Sequence, residues 1–390
     1  MRRLWLLFAQ VVTVVLALYF VHSAMRPDWP GLPGWSGLSG GAAPAPQSGA
    51  ARSALLGGNS PPSPGSYRAA AALAMPAVVN VLTTKAPRRK HPLTRDPFFK
   101  KFFGDRDRDG DEDDQSSLGS GVIVSAQGYI LTNNHVVDAA DEIQVVLADG
   151  RKAAAKVVGT DPETDLAVIK VDLDKLPVIV LGQADQARVG DVVLAIGNPF
   201  GVGQTVTMGI ISALGRNNLH INNFENFIQT DAAINFGNSG GALIDTSGKL
   251  LGINSAIYSQ TGGSVGIGFA IPVSTAKTVM DAIIASGHVV RGWIGVESQE
   301  ITPELADSFG LKVQTGAIIA GVVRNGPADK GGMKPGDILL SVEGKTVADT
   351  NDMLNLIAQL PPGEKATMRV LRKSRETELA ITVGKRPVSR

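Results

Sequence analysis

The stretch Gln229-Thr230-Asp231-Ala232-Ala233-Ile234-Asn235-Phe236-Gly237-Asn238-Ser239-Gly240-Gly241-Ala242-Leu243-Ile244 sets one serine among three glycines, ahead of an apolar run. A serine hydroxyl is a weak nucleophile unless a base takes its proton and donors receive the oxyanion that forms. Small residues on both sides let the backbone turn sharply and aim successive N–H groups at one point. The amides of Gly237 and Ser239 are placed for that, with the Ser239 hydroxyl beside them. The competing reading is a plain turn between strands, since Gly-Asn and Gly-Gly are ordinary turn chemistry. Context has to decide between them.

Working outward, 390 residues hold two or three domains with material for a core. A net charge of +1 gives no electrostatic case for nucleic acid. There is no cysteine, which excludes disulfides, thiolate metal sites and a cysteine nucleophile.

Met1-Arg2-Arg3 leads into an apolar run over 4–21, broken only by Gln10 and Thr13. A membrane-spanning helix needs roughly 20 residues, and a signal-peptide core only about 7–15. The run therefore reads as an anchor at 1–25 with its N-terminus inward. A signal cleaved near His22-Ser23-Ala24 is the alternative. Residues 26–65 are Pro, Gly, Ser and Ala with hardly any charge, and read as a tether.

From Ser66 the pattern changes to a short helix at 69–74 and a strand at 77–83. Within residues 86–117, six basic residues (Arg88, Arg89, Lys90, Arg95, Lys100 and Lys101) precede seven acids between Asp105 and Asp114, with the aromatic cluster Phe98-Phe99-Lys100-Lys101-Phe102-Phe103 among them. Asp105, Asp107, Asp109 and Gly110 match the opening of a calcium loop. Ser116 stands where the bidentate glutamate should be, so a solvated charge run is the better reading.

Residues 118–285 read as β almost throughout. Strands are expected at 121–125, 129–132, 143–147, 153–159, 166–171, 192–196, 206–214, 250–254 and 266–271. Short and glycine-punctuated, they suit antiparallel barrels or sandwiches. A helix at 275–286 ends at Gly287. Residues 291–385 form a second unit: strand 293–296, helix 303–309, strands 316–323 and 337–342, helix 349–360, and strands 365–371 and 376–383.

A hydrolytic serine needs an imidazole base held by a carboxylate. Of five histidines, His22, His91, His220 and His288 lie in a membrane exit, loops or a joint between units. His135, in Leu131-Thr132-Asn133-Asn134-His135-Val136-Val137, follows a strand and opens a tight turn. The carboxylate candidate is Asp165, where a polar loop enters the strand Leu166-Ala167-Val168-Ile169; Asp161 and Asp138 are alternatives. The order His, Asp, Ser is one of those known for this triad.

The motifs Thr132-Asn133-Asn134-His135-Val136-Val137, Thr164-Asp165-Leu166-Ala167-Val168-Ile169-Lys170 and Gly237-Asn238-Ser239-Gly240-Gly241-Ala242-Leu243 resemble the three catalytic motifs of the HtrA (Deg) serine proteases. Gly197-Asn198-Pro199-Phe200-Gly201 and Gly266-Ile267-Gly268-Phe269-Ala270-Ile271-Pro272 match that family too. The resemblance covers 66 to about 385 and implies a mainly β chain. A chymotrypsin-like double β-barrel at 66–287 is followed by one α+β PDZ domain at 288–385 and a short tail at 386–390. It makes His135 the general base and acid, Asp165 its orienter, Ser239 the nucleophile, and the amides of Gly237 and Ser239 the oxyanion hole. Ala233, Ile253 and Ile267 become the walls of the first substrate pocket, suited to a small aliphatic residue. No metal or organic cofactor is implied.

One PDZ domain behind an N-terminal anchor looks most like the DegS-type members. The expectation is a homotrimer on the periplasmic face of a bacterial inner membrane, held there through residues 4–21. It would cleave a regulatory protein such as an anti-sigma factor when C-terminal peptides of misfolded outer-membrane proteins occupy the PDZ site. Phe98–Gly104 and Asn223-Phe224-Glu225-Asn226-Phe227-Ile228-Gln229 look instead like two-PDZ members, which act in general quality control on protein substrates. A catalytically idle binding protein is the reading from another class.

In chymotrypsin-like proteases activated by cleavage, an aspartate precedes the serine and pairs with the freed amine. Asn238 cannot do so, which implies activation without proteolysis, by ordering of loops within 234–237, 216–225 and 254–265. Arg291-Gly292-Trp293-Ile294-Gly295-Val296 resembles a PDZ carboxylate-binding loop and strand. Trp293, Ile294, Gly295 and Val296 would then hold the peptide, with Met353 and Ile357, one turn apart, around its last side chain.

Overall fold

The computed structural model describes residues 65–85, 115–138, 140–198, 203–219, 221–257, 263–308 and 315–387, and all of them belong to one compact unit. The apolar run 4–21, the tether up to residue 64 and the charged loop over 86–114, with its four phenylalanines and calcium-loop match, lie outside them. No helix among the described residues is long and apolar enough to cross a membrane.

Two closed antiparallel barrels come first. The first contains β1 (Val78–Lys85), β2 (Gln115–Ile123), β3 (Tyr129–Thr132), β4 (Glu142–Val146), β5 (Lys152–Asp161) and β6 (Leu166–Val171), ordered β1-β2-β3-β6-β5-β4. β4 alternates apolar and polar and is buried on one face only, whereas β6 is buried at every position but Lys170. That difference is what a continuous apolar run and an alternating one dictate. Helix α1 (Arg68–Ala74) precedes the barrel, and the single-turn α2 (Asn134–Val137) follows β3.

The second barrel contains β7 (Val192–Gly197), β8 (Thr205–Arg216), β9 (Phe227–Thr230), β10 (Ala242–Asp245), β11 (Leu250–Ile257) and β12 (Gly268–Pro272), ordered β10-β11-β12-β9-β8-β7. Its core continues into the first barrel through Val122, Leu131, Leu166 and Val168. Helix α3 (Val273–Ser286) buries Val273, Ala276, Val279, Met280 and Ile283, a helical stripe, against both barrels. Burying each large aliphatic side chain contributes about 1.5–3 kcal/mol.

The C-terminal unit pairs β13 (Gly292–Trp293) with β20 (Gly384–Lys385). Its main sheet runs β14 (Val296–Glu300), β15 (Ala317–Val322), β16 (Ile338–Val342), β18 (Lys365–Arg372) and β19 (Arg375–Thr382), with β17 (Lys345–Thr346) hairpinned on β16. Helix α4 (Pro303–Ser308) follows β14, and α5 (Pro327–Lys330) and α6 (Thr350–Ala358) pack on the sheet. Asp349 caps α6 by accepting from the Asp352 amide at 2.7 Å. The expected strand at 293–296 is in fact broken in two. Gly295 has φ +76°, a left-handed turn that no extended strand contains. The strands at 227–230 and 242–245 were not expected.

The two ends of this C-terminal unit close on the first barrel. Arg291, just before β13, donates bidentately to Asp161 at 2.7 and 2.5 Å, and Arg386, just after β20, donates to Glu163 at 2.6 Å. Both guanidinium groups face the Phe224 ring, at 4.4 and 5.3 Å from its centroid. Removing one partner of a buried pair leaves the other charge uncompensated. Arg291→Ala is therefore expected to destabilise the protein by about 3–5 kcal/mol, while Arg291→Met with Asp161→Leu costs far less. Chemical denaturation of the three proteins checks this.

Candidate active site

The three candidate residues come from three different elements. His135 stands on α2, Asp165 on the turn before β6, and Ser239 on the turn before β10. Asp165 is 4% exposed and has φ +59°, a left-handed backbone uncommon outside glycine. The first barrel holds it there from several sides. Its carbonyl accepts from Asn133 Nδ2 at 2.9 Å and from the Asn134 amide at 3.1 Å. Its carboxylate accepts from the His135 amide at 3.0 Å. Asp161 and Asp138 are not so placed: Asp161 faces Arg291, and Asp138 ends α2.

His135 Nδ1 lies 2.8 Å from Asp165 Oδ2 and 3.0 Å from Oδ1. An ionised carboxylate has no proton to give, so Nδ1 carries the hydrogen and Nε2 keeps its lone pair. That tautomer is the one a general base needs. Ser255 on β11 completes the support: its hydroxyl donates to Asp165 Oδ2 at 3.1 Å. Its carbonyl accepts from Ser239 Oγ at 3.1 Å. Ser255 thus touches both the carboxylate and the serine. Sequence reasoning missed it; the available signal was a polar Asn-Ser pair inside the otherwise apolar β11.

At the oxyanion turn, Gly237 has φ +95° and Asn238 N–H closes a turn onto the Asn235 carbonyl at 3.0 Å. Of the expected pocket walls, Ala233 and Ile267 are half-buried, whereas Ile253 is fully buried in the barrel core beside Ala242 and Ile271. In the PDZ unit, β14 is an edge strand with α6 packed beside it, the arrangement that accepts an added peptide strand. Ile294, Met353 and Ile357 are 1%, 3% and 4% exposed within the PDZ core; Trp293 and Val296 keep partial exposure. No cluster of three or more metal-ligating side chains occurs among the described residues.

Residues 119–253 match a trypsin-like peptidase domain and residues 292–383 a PDZ domain. A probable periplasmic serine endoprotease, DegP-like, of Hahella chejuensis is 48% identical over 290 residues, covering 74% of this chain and 62% of that one. Its counterpart in Ectopseudomonas mendocina is 46% identical over 329 residues, covering 80% and 69%. The chain thus spans about three fifths to two thirds of the length of such relatives. Among solved structures, the HtrA-type protease AlgW with a decapeptide shares 52% identity and a TM-score of 0.72, covering 83% of this chain and all of that one. The serine endoprotease from Yersinia pestis shares 39% identity and a TM-score of 0.63, covering 84% of this chain.

A fluorophosphonate probe is expected to label Ser239. Asp165→Asn, which turns the imidazole tautomer around, should slow labelling by about 10³–10⁴-fold with the fold intact. Ser255→Ala removes one hydrogen bond to a charged group and should slow it about tenfold. Labelling kinetics followed by peptide mapping, alongside circular dichroism, checks both.

Proposed function

Because the chain belongs to the HtrA family of serine endoproteases, we propose that it is a periplasmic, membrane-tethered endopeptidase working through Ser239, His135 and Asp165. The observation that carries this is the Asp165–His135 contact at 2.8 Å, with Ser255 touching both that carboxylate and the buried Ser239 hydroxyl. Ser239 Oγ attacks the scissile carbonyl carbon as His135 Nε2 takes its proton. The amides of Gly237 and Ser239 receive the oxyanion. Collapse expels the amine, which takes the proton back from His135, and water repeats the cycle to free the acyl group. These steps call on no metal or organic cofactor.

The uncharged, half-buried walls Ala233 and Ile267 favour a small aliphatic residue before the cleaved bond, with Ile253 in the core behind them. The PDZ unit binds a C-terminal peptide as an extra strand on β14, its carboxylate caught at Trp293, Ile294, Gly295 and Val296 and its last side chain near Met353 and Ile357. Support comes from the AlgW structures, which hold a decapeptide and a tripeptide. Residues 4–21 anchor the chain in the inner membrane. It assembles as a homotrimer, which would cover apolar surface such as Met208 and Ile210 on β8, 62% and 40% exposed. Its task is to sense envelope stress: C-terminal peptides of misfolded outer-membrane proteins at the PDZ site switch on cleavage of a regulatory protein such as an anti-sigma factor.

A second reading, general degradation of misfolded periplasmic proteins, is favoured by the relatives called DegP-like. The full chain in detergent micelles separates the two, with Ser239→Ala as the control. Peptide-dependent cleavage of a membrane-bound anti-sigma factor at one bond is the outcome expected for a sensor. Peptide-independent digestion of an unfolded protein supports quality control. Absence of Ser239-dependent cleavage would leave only a binding protein.

A further inference from the structure

We propose that Ser120, on β2 of the first barrel, is a positioning residue for the oxyanion turn of the second. The inference rests on the protease reading, and deepens it by naming a residue outside the triad that sets the direction of the oxyanion donors.

Ser120 is fully buried, which is unusual for a serine whose neighbours Gly119 and Gly121 offer it no side-chain partner. Its hydroxyl donates to the Gly237 carbonyl at 2.6 Å and accepts from the Asn198 amide at 2.9 Å. An amide N–H can only donate and a carbonyl can only accept, so the hydroxyl hydrogen has one direction. The backbone of the same residue adds two more ties. Its amide donates to the Ser239 carbonyl at 2.8 Å, and its carbonyl accepts from Thr132 Oγ1 at 2.7 Å.

Peptide groups are planar, so fixing a carbonyl fixes the plane that carries the next residue's N–H. By holding the carbonyls of Gly237 and Ser239, Ser120 fixes the planes that carry the Asn238 and Gly240 amides, and so clamps on both sides the peptide whose N–H belongs to Ser239. Among the described residues, neither the Gly237 nor the Ser239 amide donates to a protein acceptor, so both stay available to a developing oxyanion. The approach is close: a Cβ on Gly240, where φ is +82°, would stand 2.1 Å from the Ser120 carbonyl oxygen. On the other side, Asn198 Oδ1 accepts from the Gly203 amide at 3.0 Å. The hydroxyl therefore joins the backbone at Asn198 to the oxyanion turn.

The test compares the full chain in detergent with Ser120→Ala and Ser120→Cys, the second keeping a weak donor in a similar volume. A peptide boronate ending in a valine analogue places a boron-bound oxygen where the oxyanion would sit. Losing a donor outright costs about 10²–10³-fold in kcat, so misaiming one by Ser120→Ala should cost about 10–100-fold, with KM within about threefold. Affinity for the boronate should fall by the same factor as kcat, and Ser120→Cys should lie between. If Ser120→Ala does not fold, Ser120→Cys decides by the same two numbers. Unchanged kcat and boronate affinity overturn the inference, as does a fall in kcat that leaves boronate affinity intact. A wild-type chain without Ser239-dependent turnover overturns the underlying protease reading, and this inference with it.

Discussion

The left-handed backbone at Asp165 is the constraint on which the rest of the site depends. A non-glycine residue at φ +59° costs of order 1–3 kcal/mol and persists only where its surroundings over-determine it. Here they do: Asn133 and Asn134 hold its carbonyl, while His135 and Ser255 hold its carboxylate. The strain turns the side chain out of the strand direction of β6 and into the space between the barrels. Each barrel supplies part of what lies there. The first brings His135 and Asp165, the second brings Ser239 and Ser255, and neither alone has both base and nucleophile.

The turn that carries Asp165 is also where the PDZ unit grips the protease. Thr164 Oγ1 donates to Asp161 Oδ2 at 2.5 Å, and the same carboxylate takes both arms of Arg291. Glu163 takes Arg386 and, through its carbonyl, the Phe224 amide at 3.0 Å. Phe224 belongs to a loop that folds around the buried Glu225, whose carboxylate accepts the amides of Leu219, Ile221 and Asn222 at 2.6–3.0 Å. An ion pair in such a place adds little net stability over an apolar pair of the same size. What it does add is register: a bidentate guanidinium accepts one carboxylate geometry, and so fixes how the turn sits.

How much of this was legible depended on the kind of signal. His135, Asp165 and Ser239 stand in long motifs with small or apolar neighbours, and β3 and β6 were read to the residue because their apolar runs are bounded by polar turns. β9 and β10 are four residues each and run directly into the serine segment on either side, with no polar turn to mark their inner ends as one does for β3. The 293–296 strand was drawn through Gly295 on its apolar neighbours, where the backbone actually turns. Ser120 and Ser255 are hard to read for a different reason. Each is a small polar residue in a strand, and its value lies in a partner 117 or 90 positions away. Only the closure of the barrels brings them together.

The geometry also limits what a peptide at the PDZ unit can do to the triad. A bound ligand shifts a conformational equilibrium only by its differential affinity for the two arrangements. A chain of contacts from Arg291 through Asp161 and Thr164 to Asp165 is not by itself such an equilibrium. The contacts nearest that junction are those of Glu225, which takes the amides of Leu219, Ile221 and Asn222, and of Phe224, seated between two arginines from the two ends of the PDZ unit. A peptide that moves β13 or β20 changes the position of both arginines at once, and with them the seat of Phe224. The triad residues themselves are held by the two barrels, through Asn133, Asn134 and Ser255 rather than through either arginine.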